Sequence, residues 1–123
     1  MRLLVCGGRK FWDAELLNRI LNDIHKEERI TLIIHGLASG ADTLAVAWAE
    51  RNNIPVEGYR AEWKKYATPG RKNPAGVIRN TKMLAEGKPD RVVAFPGGDG
   101  TADMVRKTIV AKIPYMIIKK RGV

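Results

Sequence analysis

The sequence predicts an α/β domain built on a mainly parallel five-stranded sheet with helices on both faces. Three observations carry this. Short apolar runs recur along the chain, and the first, second and fourth stop at or just before a glycine or a glycine-bearing turn. Segments with helical spacing of apolar residues separate the runs. Strands that alternate with helices favour parallel pairing, because each crossover returns over a sheet face.

Arg2–Cys6 is the first apolar run, ended by Gly7-Gly8, and reads as a buried strand. Asp13 can cap the helix that follows, and Leu16, Leu17, Ile20, Leu21 and Ile24 make the segment from Asp13 to about Glu28 strongly amphipathic. Ile30–His35 is a second buried strand, stopped by Gly36. A loop of small residues leads into a helix from about Ala41 to Asn52, with Leu44, Ala45, Trp48 and Ala49 inward. Val56–Tyr59 is a short third strand.

Arg60 to Pro74 shows no periodicity and holds the turn pairs Pro69-Gly70 and Asn73-Pro74, so it reads as the longest loop. Helix resumes from about Ala75 to Glu86, with Val77, Ile78, Thr81 and Leu84 inward and Gly87 and Pro89 as stop signals. Arg91–Phe95 is a fourth strand. A glycine loop then opens a helix to about Lys112, with Ala102, Val105, Thr108 and Ile109 inward. Pro114–Ile118 is the fifth strand. Residues 1–118 thus form one domain and 119–123 a basic tail. With right-handed crossovers, the expected order is 3-2-1-4-5, a Rossmann-like three-layer arrangement whose first and fourth strands meet at the reversal point.

Composition narrows the function. The 123 residues suffice for one core, and 45% are apolar, which argues against disorder. No apolar run approaches a membrane span, and the apolar N-terminus is too short for a signal peptide, so a cytoplasmic location is expected. The single Cys6 excludes an internal disulfide and sits where free cysteine behaves as a small hydrophobe. His25 reads as solvated and His35 as a hydrogen-bonded core residue. One cysteine and two separated histidines predict neither a metal site nor a cofactor. The net charge of +9, from 22 Lys+Arg against 13 Asp+Glu, favours anionic partners. It concentrates at Lys64, Lys65, Arg71 and Lys72 in the long loop and at Lys119, Lys120 and Arg121 in the tail.

Two glycine loops should meet at the reversal point: Gly7-Gly8-Arg9 after the first strand and Pro96-Gly97-Gly98-Asp99-Gly100-Thr101 after the fourth. Glycine permits a sharp turn and close approach, and the free N–H groups of a helix start suit a phosphate. The Thr101 hydroxyl can cap the helix or donate to that phosphate. A third loop of similar form, Gly36 to Thr43, includes Ser39, Gly40 and Asp42, where Asp42 either caps the helix or accepts a ribose hydroxyl. Neither Gly-x-Gly-x-x-Gly after the first strand nor a Gly-Lys-Ser/Thr loop is present, which argues against a standard dinucleotide dehydrogenase and an ATPase. Phe11, Trp12 and Trp63 flank the expected cleft. Phe11 reads as core, and Trp63, beside Lys64 and Lys65, as the better platform for a base. Arg79 is either a surface arginine or a ligand contact; Asn80 either reads the ligand or caps locally.

Five ordered motifs carry a resemblance. Gly7-Gly8-Arg9, His35-Gly36-x-Ala38-x-Gly40-Ala41-Asp42-Thr43-Leu44-Ala45, Ala61-x-Trp63, Ala75-Gly76-x-Ile78-Arg79-Asn80-x-x-Met83 and Pro96-Gly97-Gly98-x-Gly100-Thr101 resemble the SLOG superfamily, the SMF/DprA and Lonely Guy group, and within it the small single-domain YspA-like branch. The resemblance implies a Rossmann-like fold that binds a nucleotide or nucleotide-derived ligand as a binding or sensor module. It also implies two alternatives: a Lonely Guy-like phosphoribohydrolase cleaving the base from a nucleoside 5′-monophosphate, and DprA-like binding of single-stranded nucleic acid. The hydrolase pattern pairs an arginine, matched by Arg79, with a glutamate in Pro-Gly-Gly-x-Gly-Thr-x-x-Glu. Here that position is Met104, so a hydrolase would have to use Arg79 with Asp99 or with Asp103, one residue before Met104. A thioether cannot act as general acid or base. Leu37 and Ser39 also depart from the family's usual glycine and arginine. Relatives often dimerise, and the apolar Ala41–Ala49 helix could be covered by a second copy, so a homodimer is an expectation.

Overall fold

The computed structural model describes residues 1–120. These form β1 (Arg2–Cys6), α1 (Ala14–Glu27), β2 (Leu32–His35), α2 (Ala41–Arg51), β3 (Val56–Gly58), α3 (Trp63–Tyr66), α4 (Ala75–Gly87), β4 (Arg91–Ala94), α5 (Asp99–Val110) and β5 (Tyr115–Ile117). The strands pair in parallel in the order β3-β2-β1-β4-β5. This is the doubly wound order expected from the sequence. Arg121, placed by the sequence in the basic tail, lies outside the described residues.

Alternation along the strands divides the core. Leu3, Val5, Ile33 and Val93 face α1 and α2, where they meet Leu17, Leu21, Ile24, Ala45 and Trp48. Leu4, Ile34 and Val92 face α4 and α5 and meet Met83 and Met104. A strand buried on both faces must be apolar at every position, which is why β1 reads as an unbroken run. Asp13 caps α1 by accepting the Leu16 N–H at 3.1 Å. Trp48 is 1% exposed and satisfies its indole N–H on Asn22 Oδ1 at 2.8 Å.

Several expectations need correction. The inner face of α4 is Ala75, Asn80, Met83 and Gly87, whereas Val77, Ile78 and Thr81 point outward. The helix turns this way because Gly87 must lie flat on Ile34, 3.2 Å from where its Cβ would be, and because Asn80 bonds to α5. Gly87 therefore belongs to the helix, and Lys88, at φ 47, takes the left-handed stop. On α5 the buried residues are Asp103, Met104 and Thr108, with Ala102 and Ile109 exposed. The long loop contains the short helix α3. His25 is not solvated: its Nδ1 accepts the Ile30 N–H at 2.9 Å and its ring packs edge-on against Trp48. The apolar face of Ala41–Ala49 is covered by the chain's own sheet and α1, with Ala41, Ala45 and Ala49 fully buried, so it offers nothing to a second copy. Among the described residues no helix is long and apolar enough to cross a membrane.

Candidate functional site

Three loops converge at the carboxyl ends of β1, β2 and β4, and Gly8 is their meeting point. Its N–H donates to Pro96 O at 2.9 Å, and its carbonyl accepts from Ala41 N at 3.2 Å and Phe11 N at 3.2 Å. A side chain there would meet the Pro96 carbonyl at 2.9 Å. Gly40 shares the constraint: at φ 78, a Cβ would run into the Gly8 carbonyl. Gly98 and Gly100 differ, since a Cβ on either meets nothing within 4 Å. They lie at the start of α5, where Ala102 N is the first to find a helical acceptor, in Gly98 O. The preceding N–H groups therefore face the cleft with the positive end of the helix dipole.

A polar network fixes the opposite wall. The half-buried Arg79 donates from Nη1 to Gly36 O at 2.5 Å and from Nε to Asn80 Oδ1 at 3.0 Å. Asn80 donates in turn to Gly100 O and Asp103 Oδ2, both at 3.1 Å. Asn80 thus joins α4 to the first turn of α5, and its hydrogen-bonding groups are engaged within the protein. Asp103 is held by Lys107 at 2.7 Å and lies outside the cleft lining. Met104 is fully buried in the core.

Asp42, 5% exposed, turns back on its own loop and accepts from Gly36 N at 2.9 Å and Ala38 N at 3.3 Å. Burial pushes its carboxyl up to about 6, against the pull of those two N–H groups, Arg79 and Arg9. Burial lowers Arg79, with the nearby Asp42 opposing. The Cys6 thiol is pushed up to about 12 by burial and the Asp42 charge, which keeps it un-ionised and unreactive. His35 is driven toward its neutral form by burial and accepts from Leu37 N at Nδ1.

The long loop folds over this floor. Asn73 Nδ2 holds Trp63 O at 2.7 Å, Gly76 leaves room for the Trp63 ring, and Arg9 lies over that ring at 5.0 Å from its centroid. The open cleft measures about 1370 Å³. Of the residues singled out in the sequence, it is lined by Gly7, Gly8, Arg9, Gly36, Asp42, Trp63, Arg79, Asn80 and all of Pro96–Thr101. Ser39 lines a smaller neighbouring cavity, and Gly40 lies behind the Gly8 backbone. Sequence reasoning missed Lys10, Arg106 and Arg60, which border these two cavities. For Arg60 the available signal was its place directly after the third strand, on the edge where ligands bind.

This fold and the loops at its reversal point define a Rossmann-like module of the nucleotide-related SLOG kind. The chain belongs to the YAcAr family, described as YspA, cpYpsA-related SLOG, whose family model matches residues 1–66. It is 34% identical over 123 residues to the Gene 61 protein of Mycobacterium phage D29, with 94% of each chain covered. Among solved structures it is similar to DNA processing protein A (DprA) from Streptococcus pneumoniae, with TM-score 0.51 and 18% identity, covering 94% of this chain and 58% of that one. It is also similar to UDP-GlcNAc 2-epimerase from Neisseria meningitidis, solved with UDP-GlcNAc, with TM-score 0.57 and 18% identity, covering 96% of this chain and 32% of that one. At that identity the two structures speak to the fold alone.

Proposed function

We propose that the protein binds a nucleotide or nucleotide-derived ligand in this cleft, through a phosphoryl group seated at the start of α5, and acts as a ligand-binding or sensor module. One observation carries the reading: Gly98 and Gly100 are open where no neighbour requires glycine, and they sit in a cleft shared with Arg79 and Trp63. Internal packing does not explain those glycines; an anion on the helix N–H groups does. Arg79 supplies countercharge, and Trp63 offers a face for a base.

Binding without cleavage is favoured over N-glycosidic hydrolysis. The motif's carboxylate position is Met104 in the core, and Asp103 is tied to Asn80 and Lys107. Titrating the protein with AMP by calorimetry, with thermal melts in parallel, tests the reading. AMP should bind and raise Tm, and Arg79→Ala should weaken binding by roughly tenfold or more, as expected for a charged phosphate contact. No binding of AMP, ADP or other nucleotides would sink it. Release of free base from AMP, lost in Arg79→Ala, would replace it with the hydrolase reading.

Nucleic acid is the second reading. Trp12 is 55% and Trp63 41% exposed on the cleft, alongside Lys10, Lys119 and Lys120, and the DprA relative is a DNA processing protein. Stacking faces beside cations are what a single strand uses. Oligonucleotide affinity that exceeds AMP affinity and falls steeply with salt would favour it.

A further inference from the structure

Beside the main cleft lies a second cavity of about 220 Å³. Its walls are the Gly36–Ser39 turn and Arg60-Ala61 after β3, together with Arg9, Trp63 and Arg79; of these, Arg9, Gly36, Ala38, Trp63 and Arg79 also line the main cleft. The Arg9–Trp63 stack, at 5.0 Å, thus lines both chambers.

Three arginines line this one small chamber. Among the described residues none of them forms an ion pair. Arg9 and Arg79 are close enough that the charge of Arg9 opposes that of Arg79. The nearby carboxylate, Asp42, offsets part of this but is turned onto the Gly36 and Ala38 N–H groups. Arg60 is exposed and has no hydrogen-bond partner within the described chain, and the Ser39 hydroxyl is likewise free. Like charges held around an empty polar space call for an anion, and planar guanidinium forks match phosphoryl oxygens. At about 30 Å³ per water, the chamber has room for a phosphoryl group and a few waters, and is smaller than the roughly 300 Å³ at which whole small-molecule sites begin.

We propose that this annex takes a second phosphoryl group, so that the ligand is a nucleotide carrying phosphoryl groups at two separate positions, one at the start of α5 and one among Arg9, Arg60 and Arg79. The proposal rests on the nucleotide reading above. Separate positions are called for because the start of α5 lines the main cleft alone, while Arg60 lines the annex alone.

Calorimetric Kd values for AMP, ADP and adenosine 3′,5′- and 2′,5′-bisphosphate, measured on the full chain, test it. At least one bisphosphate should bind roughly tenfold tighter than AMP, with ADP gaining much less. In Arg60→Ala the ratio of AMP to bisphosphate Kd should fall toward one. Lys112→Ala removes an equal charge at the opposite end of the sheet and should keep the ratio. If AMP binds but the bisphosphates gain less than about twofold, or ADP gains as much, or the ratio survives in Arg60→Ala, the annex proposal is overturned and the nucleotide reading stands. If no nucleotide binds, both fall.

Discussion

Removing the Asn80 side chain should loosen both walls of the cleft at once, and the size of the effect follows from its bonds. Asn80 is 4% exposed and engages Arg79 Nε at 3.0 Å and Gly100 O and Asp103 Oδ2 at 3.1 Å. A hydrogen bond contributes about 1 kcal/mol net, somewhat more with a charged partner. Asp103 keeps Lys107 at 2.7 Å, so Asn80→Ala leaves no bare carboxylate. The cost should therefore be about 2–4 kcal/mol, or roughly 8–15 °C in Tm for a domain of this size. Asn80→Asp should cost more, because a carboxylate would then face the Gly100 carbonyl and the Asp103 carboxylate. Urea unfolding with an unchanged m-value, alongside thermal melts, measures both. Asn80→Ala within about 0.5 kcal/mol of wild type, or Asn80→Asp no worse than Asn80→Ala, would refute the assignment of Asn80 as the tie between α4 and α5.

Burial raises the Asp42 carboxyl to about 6 from its ordinary 3.8, so the folded protein holds this proton more tightly than the unfolded chain. Its contribution is therefore fully present below the unfolded value and is lost as pH rises toward about 6, a fall of about 3 kcal/mol that Asp42→Asn should flatten in urea midpoints taken from pH 4 to 8. An unchanged slope would show that Asp42 is not its source. Met104→Glu, which restores the hydrolase motif, places a charge at a fully buried position; it should cost about 3–5 kcal/mol and yield no free base from AMP in a product assay. Gly40→Ala should lower Tm by more than about 10 °C, since φ 78 and the Gly8 carbonyl both oppose a side chain. Gly100→Ala, made in open space within a helix, should instead raise stability by about 0.5–1 kcal/mol while weakening AMP binding; unaltered binding would remove the functional reason for that glycine.

The sheet was legible because both its faces are covered, so its strands show as short apolar runs such as Leu3-Leu4-Val5, which their length and the glycines that follow mark as strands. The helices over the second face were not, because their phase is set by polar residues. Periodicity assigns Val77 and Ile78 to the core of α4, yet Asn80 is buried there and Val77 is 45% exposed. Asp103, 8% exposed, shifts the buried face of α5 in the same way, although Thr108 is buried as its spacing suggests. Polarity patterns place such residues outside, and only the partner across the gap, Gly100 or Lys107, explains why they are inside. The glycine loops could be read because turns leave local signatures. The annex could not, since Arg9, Arg60 and Arg79 are far apart in sequence and converge only once β1, β3 and α4 are in place.

The chemistry left available in the cleft bears on whether a bound ligand is changed. Most of the groups that face it with unused capacity are donors: N–H groups at the start of α5, the guanidiniums of Arg9 and Arg79, and the lysines at its edge. Among the groups able to take a proton or attack an electrophile, Asp99 stands exposed on the cleft, 4.0 Å from the equally exposed Lys72, and the others are engaged or burdened by burial. Asp42 spends its carboxylate on Gly36 and Ala38, Asp103 on Asn80 and Lys107, His35 its Nδ1 on Leu37, and the Cys6 thiol is pushed up to about 12. Donors of this kind would hold an anion whether or not a glycosidic bond is intact, which is what the proposed binding role asks of the site.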